Sequence, residues 1–531
     1  MLTVDYVIVG GGSSGCALAG RLSEDSGTSV ALIEAGSGKG DSALIQTPGI
    51  MTAMVAKPIN NWAFETVSQP GFNGRKGYQP RGKVLGGSSA INAMAYIRGH
   101  ASDYDHWASL GNWGWSYQEL LPYFKKSESN HNIHNEWHGT DGPLKVSNLQ
   151  SDNPFQEHYL EAARQVGYPI TEDFNGPQQE GIGIYQVTQF NGERWSAFRG
   201  YLKPHLGSRS NLVLKTNALA QRILFEGKRA VGIEFRQGNQ LRQIRARREV
   251  ILSAGAFQSP QLLMLSGVGD AGELQSVGVD VLHHLPGVGK NLQDHPDFIF
   301  AYKSNDQNLL GLSIKGALHG AKQFVHYRKT RRGLLASNFA EGGGFLKTNP
   351  NLAAPDVQLH FVVALVEDHA RTLHRGHGFS CHVCLLRPKS RGTVSLQDKS
   401  AHSAPVIDPR FFDHPNDIET MVRGYKMTDK LMKAPALTQF ITEDVFTVNV
   451  RTDDDIRTVL RARTDTVYHP VGTCKMGNDH MAVVDARLKV HGIKSLRVVD
   501  ASIMPTLIGG NTNAPAIMIA EKAADLIRGA E

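Results

Sequence analysis

The stretch TVYHPVGTCKMG, beginning at Thr466, sets His469 between Tyr468 and Pro470. An imidazole titrates nearer neutral pH than other side chains, so one facing a cavity can take a proton from a substrate hydroxyl. The chain carries 22 histidines, however, and imidazole packs readily wherever one ring nitrogen finds a partner. His469 therefore needs support from elsewhere. Gly10, Gly12 and Gly15 stand at G-x-G-x-x-G spacing in GGGSSG, and Glu34 follows about twenty residues on. The first glycine permits a tight turn, the second lets a pyrophosphate approach the backbone, and the third allows a helix to pack closely on a strand. A carboxylate at Glu34 would bind ribose hydroxyls. This is the chemistry of a dinucleotide site, and it does not separate FAD from NAD.

Such glycines work only between a strand and a helix, and the flanking sequence supplies both. Asp5 to Val9 is apolar and β-branched, Gly15 to Leu22 has helical character, and SVALIEAG from Ser29 reads as a second strand. The result is a βαβ unit, which predicts a parallel sheet with a right-handed crossover. Further on, EVILSAG (Glu249 to Gly255) reads as a strand and SPQLLMLSG as a short helix closed by glycine. SLRVVDAS reads as a strand, and APAIMIAEKAADLIRG as an amphipathic helix with Pro515 at its start and Gly529 past its end. Between about residues 300 and 460 lie strands such as PDVQLHFVVALV and HVCLLRP, without a nucleotide signature.

A chain of 531 residues exceeds what one hydrophobic core usually serves, so two domains are expected. Its 41% hydrophobic and 20% charged residues exclude wholesale disorder. The net charge of +6 is small for this length, and the basic stretches Arg242 to Arg248 and Arg328 to Arg332 lack interleaved aromatics, so no nucleic-acid partner is expected. Four cysteines are too few for a disulfide framework. Cys381 and Cys384 have no second pair at zinc spacing, so no metal site is expected. The N-terminus lacks the features of a signal peptide, and no apolar run is long enough to span a bilayer. A cytoplasmic protein is expected, with peripheral contact at the inner membrane left open.

RGKVLGGSSAINAMAYIRG (Arg81 to Gly99), GAFQSPQLLMLSGVG (Gly255 to Gly269), PGVGKNLQDH (Pro286 to His295) and YHPVGTCKMG, with RVVDASIMPTLIGGNTNAPAIMIAEKAADLI, together resemble the glucose-methanol-choline (GMC) oxidoreductase family of flavoproteins. The motifs run in family order along nearly the whole chain. The resemblance implies an α/β fold: a Rossmann-like FAD-binding domain from discontinuous segments (1–155, 205–300 and 465–531), and a mixed α+β substrate-binding domain with an antiparallel-rich sheet (156–204 and 301–464).

It also implies FAD as cofactor. Carried over by position, Gly10, Gly12, Ser13, Ser14, Gly15, Glu34 and Ala35 would hold the ADP part. Gly86, Gly87, Ser88 and Asn92 would lie along the pyrophosphate and isoalloxazine, with Arg81, Ala93 and Ala220 among the further cofactor contacts. Asp500 and Ala501 would meet the pyrophosphate and ribityl region, and Asn511, Thr512 and Asn513 the pyrimidine edge. The dipole of the last helix would favour negative charge there. Some members attach FAD through a histidine in the first signature; the corresponding position here is Ile91, which implies non-covalent FAD.

Within the family, the histidine at the position of His469 faces the reacting carbon beside flavin N5, and its partner is His or Asn. Counting from Asp500, that partner is Asn511. His469 would act as general base, and Asn511 would hydrogen-bond the same oxygen without taking a proton. Val467 and Tyr468 are expected to line the substrate cavity, whereas His360, His369 and His382 gain no role and are expected to pack. The nearest resemblance is to bacterial membrane-associated dehydrogenases of medium-chain aliphatic alcohols, with choline dehydrogenases next. The reaction implied is oxidation of a primary, apolar alcohol to its aldehyde, with a quinone-like acceptor. Choline dehydrogenation, with Glu341 as a carboxylate for trimethylammonium, and O2-using alcohol oxidation are the alternatives. An FAD-containing lyase or a non-catalytic flavin-binding protein is more remote. The segment from about Ser304 to Gly344 is expected to be surface helix and loop, with membrane docking through Leu309 to Leu335 as a further hypothesis.

Overall fold

The structure, a computed structural model, describes residues 2–312, 314–372 and 374–529, with the backbone alone at 312, 314–319 and 321. The expected βαβ unit consists of strand Leu2–Val9, helix Ser13–Leu22 and strand Val30–Ile33. The two strands run parallel, with Tyr6 opposite Val30 and Val9 opposite Ile33. Val7, Ile8, Ala17, Leu18, Val30 and Leu32 are fully buried, so apolar burial on both faces drives this part of the sheet.

Seven strands share that sheet. Leu212–Lys215 adds in parallel beside Val30–Ile33, and Gln240–Leu252 adds in parallel beside Leu2–Val9. The long strand then folds back through Arg229–Gln237 and Ala218–Glu226 as an antiparallel ribbon. The arginines of 242–248 lie on this ribbon, where Arg247 pairs with Asp5 at 2.9 Å and Arg245 pairs with Glu226. Leu496–Val498 pairs in parallel with Val250 to Leu252, bringing the C-terminal segment back to the N-terminal unit. Five parallel strands thus end near one edge, and the ends of four of them place Gly10, Glu34, Ser253 and Asp500 together. The carboxyl edge of such a sheet is where an open α/β fold takes a ligand.

The last helix, Asn513–Arg528, packs against Ser13–Leu22 through small buried residues, and Ser14 Oγ donates to the Ala516 carbonyl at 2.7 Å. It begins two residues before Pro515. The proline sits inside the first turn, where its missing N–H removes no intrahelical bond.

A second, eight-stranded sheet is mainly antiparallel. Its central run is Pro296–Ser304, Gly376–Leu385, Val357–Val362, Ala340–Leu346 and Gly181–Ile184. One face packs on helices Phe155–Val166 and Pro415–Met432, with Phe155, Tyr159, Leu359, Phe361, Phe379 and Met421 in a common core. Side chains alternate along a strand. Gln358 and His360 therefore point away from the core that holds Leu359 and Phe361, towards the first sheet. Among the described residues no helix is long and apolar enough to cross a membrane. All four cysteines are buried and free.

Candidate active site

A cavity of about 840 Å³ opens between the carboxyl edge of the first sheet and the inner face of the second. Of the predicted cofactor residues, Gly10, Gly12, Ser13, Ser14, Glu34 and Ala35 line it, as do Arg81, Gly87, Ser88, Asn92, Ala93 and Ala220. Asp500, Ala501, Asn511, Thr512 and Asn513 line it as well, together with Val467, Tyr468 and His469. Gly15 and Gly86 stand behind the wall.

The three fingerprint glycines have distinct surroundings. Gly10 has φ +102°, and a Cβ there would meet the Ser253 carbonyl oxygen at 2.4 Å. At Gly15 a Cβ would lie 1.8 Å from the Gly10 carbonyl oxygen, so helix and strand meet with no room for a side chain. At Gly12 the nearest atom to an added Cβ is Gly87 Cα at 4.0 Å, so this position faces open space. That is the pattern expected where a pyrophosphate passes over the backbone.

Glu34 accepts the Gly11 and Gly36 N–H groups at 2.8 and 2.6 Å, and burial raises its carboxyl to about 7. Asp500 is 3% exposed, and its carboxylate accepts from Ser259 Oγ (2.5 Å), Gly255 N (2.9 Å) and Ser502 N (2.8 Å). These bonds join the start of helix Gly255–Leu265 to the turn at Ala501, so the side chain of Asp500 shapes the cofactor wall. These residues fit an extended dinucleotide.

At the other end of the cavity, His469 and Asn511 come together, with Asn511 Nδ2 3.3 Å from His469 Nε2. Hydrogen-bond polarity in this cluster can be followed inward from two backbone carbonyls, which only accept. Tyr185 O–H donates to the Leu359 carbonyl at 2.6 Å, so its oxygen accepts from Gln358 Nε2 at 3.0 Å. The same Gln358 amide donates to Asn511 Oδ1 at 3.0 Å, which turns Asn511 Nδ2–H towards His469 Nε2. From the other side, the ring nitrogen of His295 that lies 3.1 Å from the Leu386 carbonyl must carry a proton. Burial lowers His295 to about 3, so it is neutral and its Nδ1 is a lone pair, 3.0 Å from His469 Nδ1. His469 Nδ1 therefore holds the proton and Nε2 the lone pair. Both routes give the same tautomer.

His469 itself is held well below its ordinary value by burial, with His295, His360 and Arg81 adding to the effect. Its backbone is fixed by the neighbouring turn. Tyr468 has φ +69°, an uncommon conformation for a bulky residue, at a strain of order 1–3 kcal/mol. Thr466 Oγ1 accepts the Tyr468 N–H at 2.9 Å, Arg81 donates to the Tyr468 carbonyl at 2.6 Å, and Asp294 Oδ1 accepts the His469 N–H at 2.8 Å. Asp294 is 3% exposed and also binds Thr466 Oγ1 and Gln79.

Several residues of the site were not singled out by sequence reasoning. His295, Asp294 and Gln358 set the tautomer and position of His469 and Asn511. His360, His369 and His382, expected only to pack, all line the cavity. His360 Nδ1 is buried without a hydrogen-bond partner among the described residues. His369 binds Tyr468 Oη at 2.5 Å and Asp465 at 2.9 Å, bracing the turn before His469. His382 hydrogen-bonds Asp297, which lies behind it, at 2.6 Å. The strand pattern at 357–362 could have placed Gln358 and His360 on one face.

Glu341, considered as a partner for a cationic substrate, lies outside the cavity wall. It is fully buried, and its two oxygens accept from Ser337 Oγ (2.6 Å) and Gln156 Nε2 (2.8 Å). The only carboxylates among the described lining residues are Glu34 and Asp500, both at the dinucleotide end. The lining also includes Val467, Tyr468, Phe339, Val362, Leu365 and Val366, the histidines His360, His369, His374 and His382, and the cations Arg81 and Arg371.

The sequence matches the GMC oxidoreductase family over residues 4–297 in its N-terminal part and 388–520 in its C-terminal part. An alcohol dehydrogenase [acceptor] of Pseudomonas putida is 45% identical over 98% of this chain and 95% of its own. The mitochondrial choline dehydrogenase of Homo sapiens is 43% identical over 99% of this chain and 89% of its own. Among solved structures, pyridoxine 4-oxidase from Mesorbium loti superposes with a TM-score of 0.89 at 30% identity, covering 99% of this chain and 100% of that one. The chain thus belongs to the GMC oxidoreductase family, and it is an FAD-dependent enzyme that oxidises alcohols.

Proposed function

We propose that the chain oxidises a primary, apolar alcohol to its aldehyde, with the FAD-binding and substrate halves divided as the sequence suggests. The observation that carries this reading is the His469 Nε2 lone pair beside the Asn511 amide donor, in a cavity whose described lining carries no carboxylate other than Glu34 and Asp500 at its dinucleotide end. FAD, when bound, accepts the hydride that leaves the alcohol carbon. An alcohol oxygen placed between the two side chains can accept from Asn511 Nδ2–H while its own proton passes to His469 Nε2. The 3.3 Å separation is long for a direct hydrogen bond and is readily exchanged for two shorter ones. Once protonated, His469 keeps its Nδ1–H directed at His295 Nδ1. Ile91 lines the cavity and has no nucleophilic atom, which supports non-covalent FAD.

A trimethylammonium substrate would have to shed water beside Arg81 and Arg371, the latter already paired with Asp368 at 2.6 Å, with no free carboxylate among the described lining residues outside the dinucleotide end. Anaerobic mixing with 1-octanol, benzyl alcohol and choline tests this, with the flavin band at about 450 nm as readout. We expect 1-octanol to bleach it with a kcat/KM about a hundredfold above that of choline. Faster bleaching by choline would refute the apolar reading, and admission of air then separates oxidase from dehydrogenase.

The quinone-like acceptor belongs to the same proposal, with docking at the cytoplasmic face of a membrane. Ser313 and the side chains of 312, 314–319 and 321 in the proposed docking segment fall outside the described residues. On the rest of helix Ile314–Thr330, Phe324 and Val325 are each 53% exposed, and Arg328 and Lys329 lie beside them at the surface. Arg331 and Arg332 instead pair with Glu193 (3.2 Å) and Asp152 (2.5 Å), so the docking charge narrows to Arg328 and Lys329. At about 1 kcal/mol per basic residue, the double variant R328Q/K329Q should bind anionic vesicles about thirtyfold more weakly in a sedimentation assay. Unchanged binding would remove the membrane part of the proposal.

A further inference from the structure

Among the described residues three arginines are fully buried: Arg98, Arg194 and Arg497. Two have carboxylate partners, Arg98 with Glu128 at 2.5 Å and Arg497 with Glu249 at 2.6 Å. Arg194 is different. Its Nε donates to the Ile45 carbonyl at 3.1 Å, and its Nη1 to the Ser89 carbonyl at 3.2 Å and to Asn92 Oδ1 at 2.7 Å. All three acceptors are neutral. Nη2 is buried with no hydrogen-bond partner among the described residues. Burial is the sole cause lowering the guanidinium to about 9, and no carboxylate among the described residues offsets it. An uncompensated cation is among the least favourable groups to bury, and such a site is more stable when an anion binds nearby.

The acceptors of Arg194 show where that anion would be. Ser89 lies in the turn Gly87–Ala90, and Asn92 lines the cavity just beyond it. Asn92 Oδ1 takes both Arg194 Nη1 and the Met94 N–H (3.2 Å), which leaves its Nδ2 donor as the end available to the cavity. We infer that Arg194 is a positioning residue for the flavin: it turns the Asn92 amide donor towards the cofactor and holds an unpaired positive charge behind it, favouring the reduced, more negative flavin. The inference rests on the placement of the cofactor along Gly86–Asn92.

Sulfite adds reversibly to oxidised flavin and leaves a negative charge on it, so its dissociation constant reports this field without turnover. Holoenzymes of wild type, Arg194→Met, Arg194→Lys, Asn92→Leu and Asn92→Asp would be titrated with sulfite while the flavin band is followed. Arg194→Met is expected to weaken sulfite about tenfold, the order set by removing one charge from a partly shielded neighbourhood. Arg194→Lys, which keeps the charge, should stay within about threefold of wild type. If Arg194→Met fails to hold FAD, Asn92→Asp decides, since a carboxylate there neutralises the guanidinium in place and should weaken sulfite by at least the same factor. Unchanged sulfite affinity in Arg194→Met, or in Asn92→Asp where that variant decides, overturns the role of Arg194 when Asn92→Leu still alters it. No change in any variant overturns instead the placement of Asn92 beside the flavin.

Discussion

Replacing His469 by alanine is expected to slow anaerobic reduction of the bound flavin by alcohol about a thousandfold, within the range of a lost general base. FAD content should stay near wild type, because His469 touches the reacting end of the cavity and the dinucleotide wall is built elsewhere. The neutral tautomer with a free Nε2 is maintained by His295 on one side and by the Gln358–Asn511 pair on the other. The pH dependence follows with a definite sign. The base must be unprotonated, and burial with His295, His360 and Arg81 holds His469 well below 6.5. Reduction should therefore keep its plateau through neutral pH, with its acid limb below pH 6.5. Stopped-flow reduction between about pH 5 and 9 checks both points. A thousandfold loss with a limb at or above 6.5 would retain the base but reject the burial account, and a loss of only a few fold would reject His469 as the base.

Gly12→Val is expected to give a folded, colourless protein. The backbone at Gly12 has φ −82° and ψ −160°, which valine adopts, and a Cβ there meets no protein atom closer than 4.0 Å. The space it fills is that required by the pyrophosphate, so FAD affinity should fall about a hundredfold or more, equivalent to roughly 3 kcal/mol. Gly15→Ala is the contrasting variant. Its Cβ would stand 1.8 Å from the Gly10 carbonyl oxygen, so helix Ser13–Leu22 must shift and the apoprotein itself loses stability. The absorbance ratio at about 450 and 280 nm gives the FAD content. Melting temperatures must be compared with apo wild type, because bound FAD stabilises by mass action. A Gly12→Val protein that retains FAD would place the pyrophosphate elsewhere.

The residues differed in how much of their role was legible from the sequence. The glycine turn, the strand before it and the helix after it are local. Sterics and apolar periodicity act over a few residues, so 5–34 could be read directly. The roles of His469 and Asn511 came from a motif pattern, and those two side chains meet in the cavity. His295 was quoted within NLQDH, yet nothing in that stretch indicates that its ring meets a histidine 174 residues away. Gln358 lies 153 residues from Asn511, and only strand alternation hinted at its face. His360, His369 and His382 were assigned to packing because an isolated histidine gives no sign of the wall it joins. Glu341 failed in the opposite sense, since a carboxylate in sequence gives no sign that Ser337 and Gln156 already occupy it.

The sequence by itself determined the α/β class and the glycine turn between strand and helix, because each depends on residue type at short spacing, and its resemblance to the family singled out His469 and Asn511 as the proposed pair. The tertiary structure alone decided the tautomer and proton affinity of His469, the absence of any carboxylate other than Glu34 and Asp500 among the described residues lining the cavity, and the unpaired charge of Arg194. Those properties arise from burial and from hydrogen bonds between segments more than a hundred residues apart, and a linear pattern of residue types does not encode either.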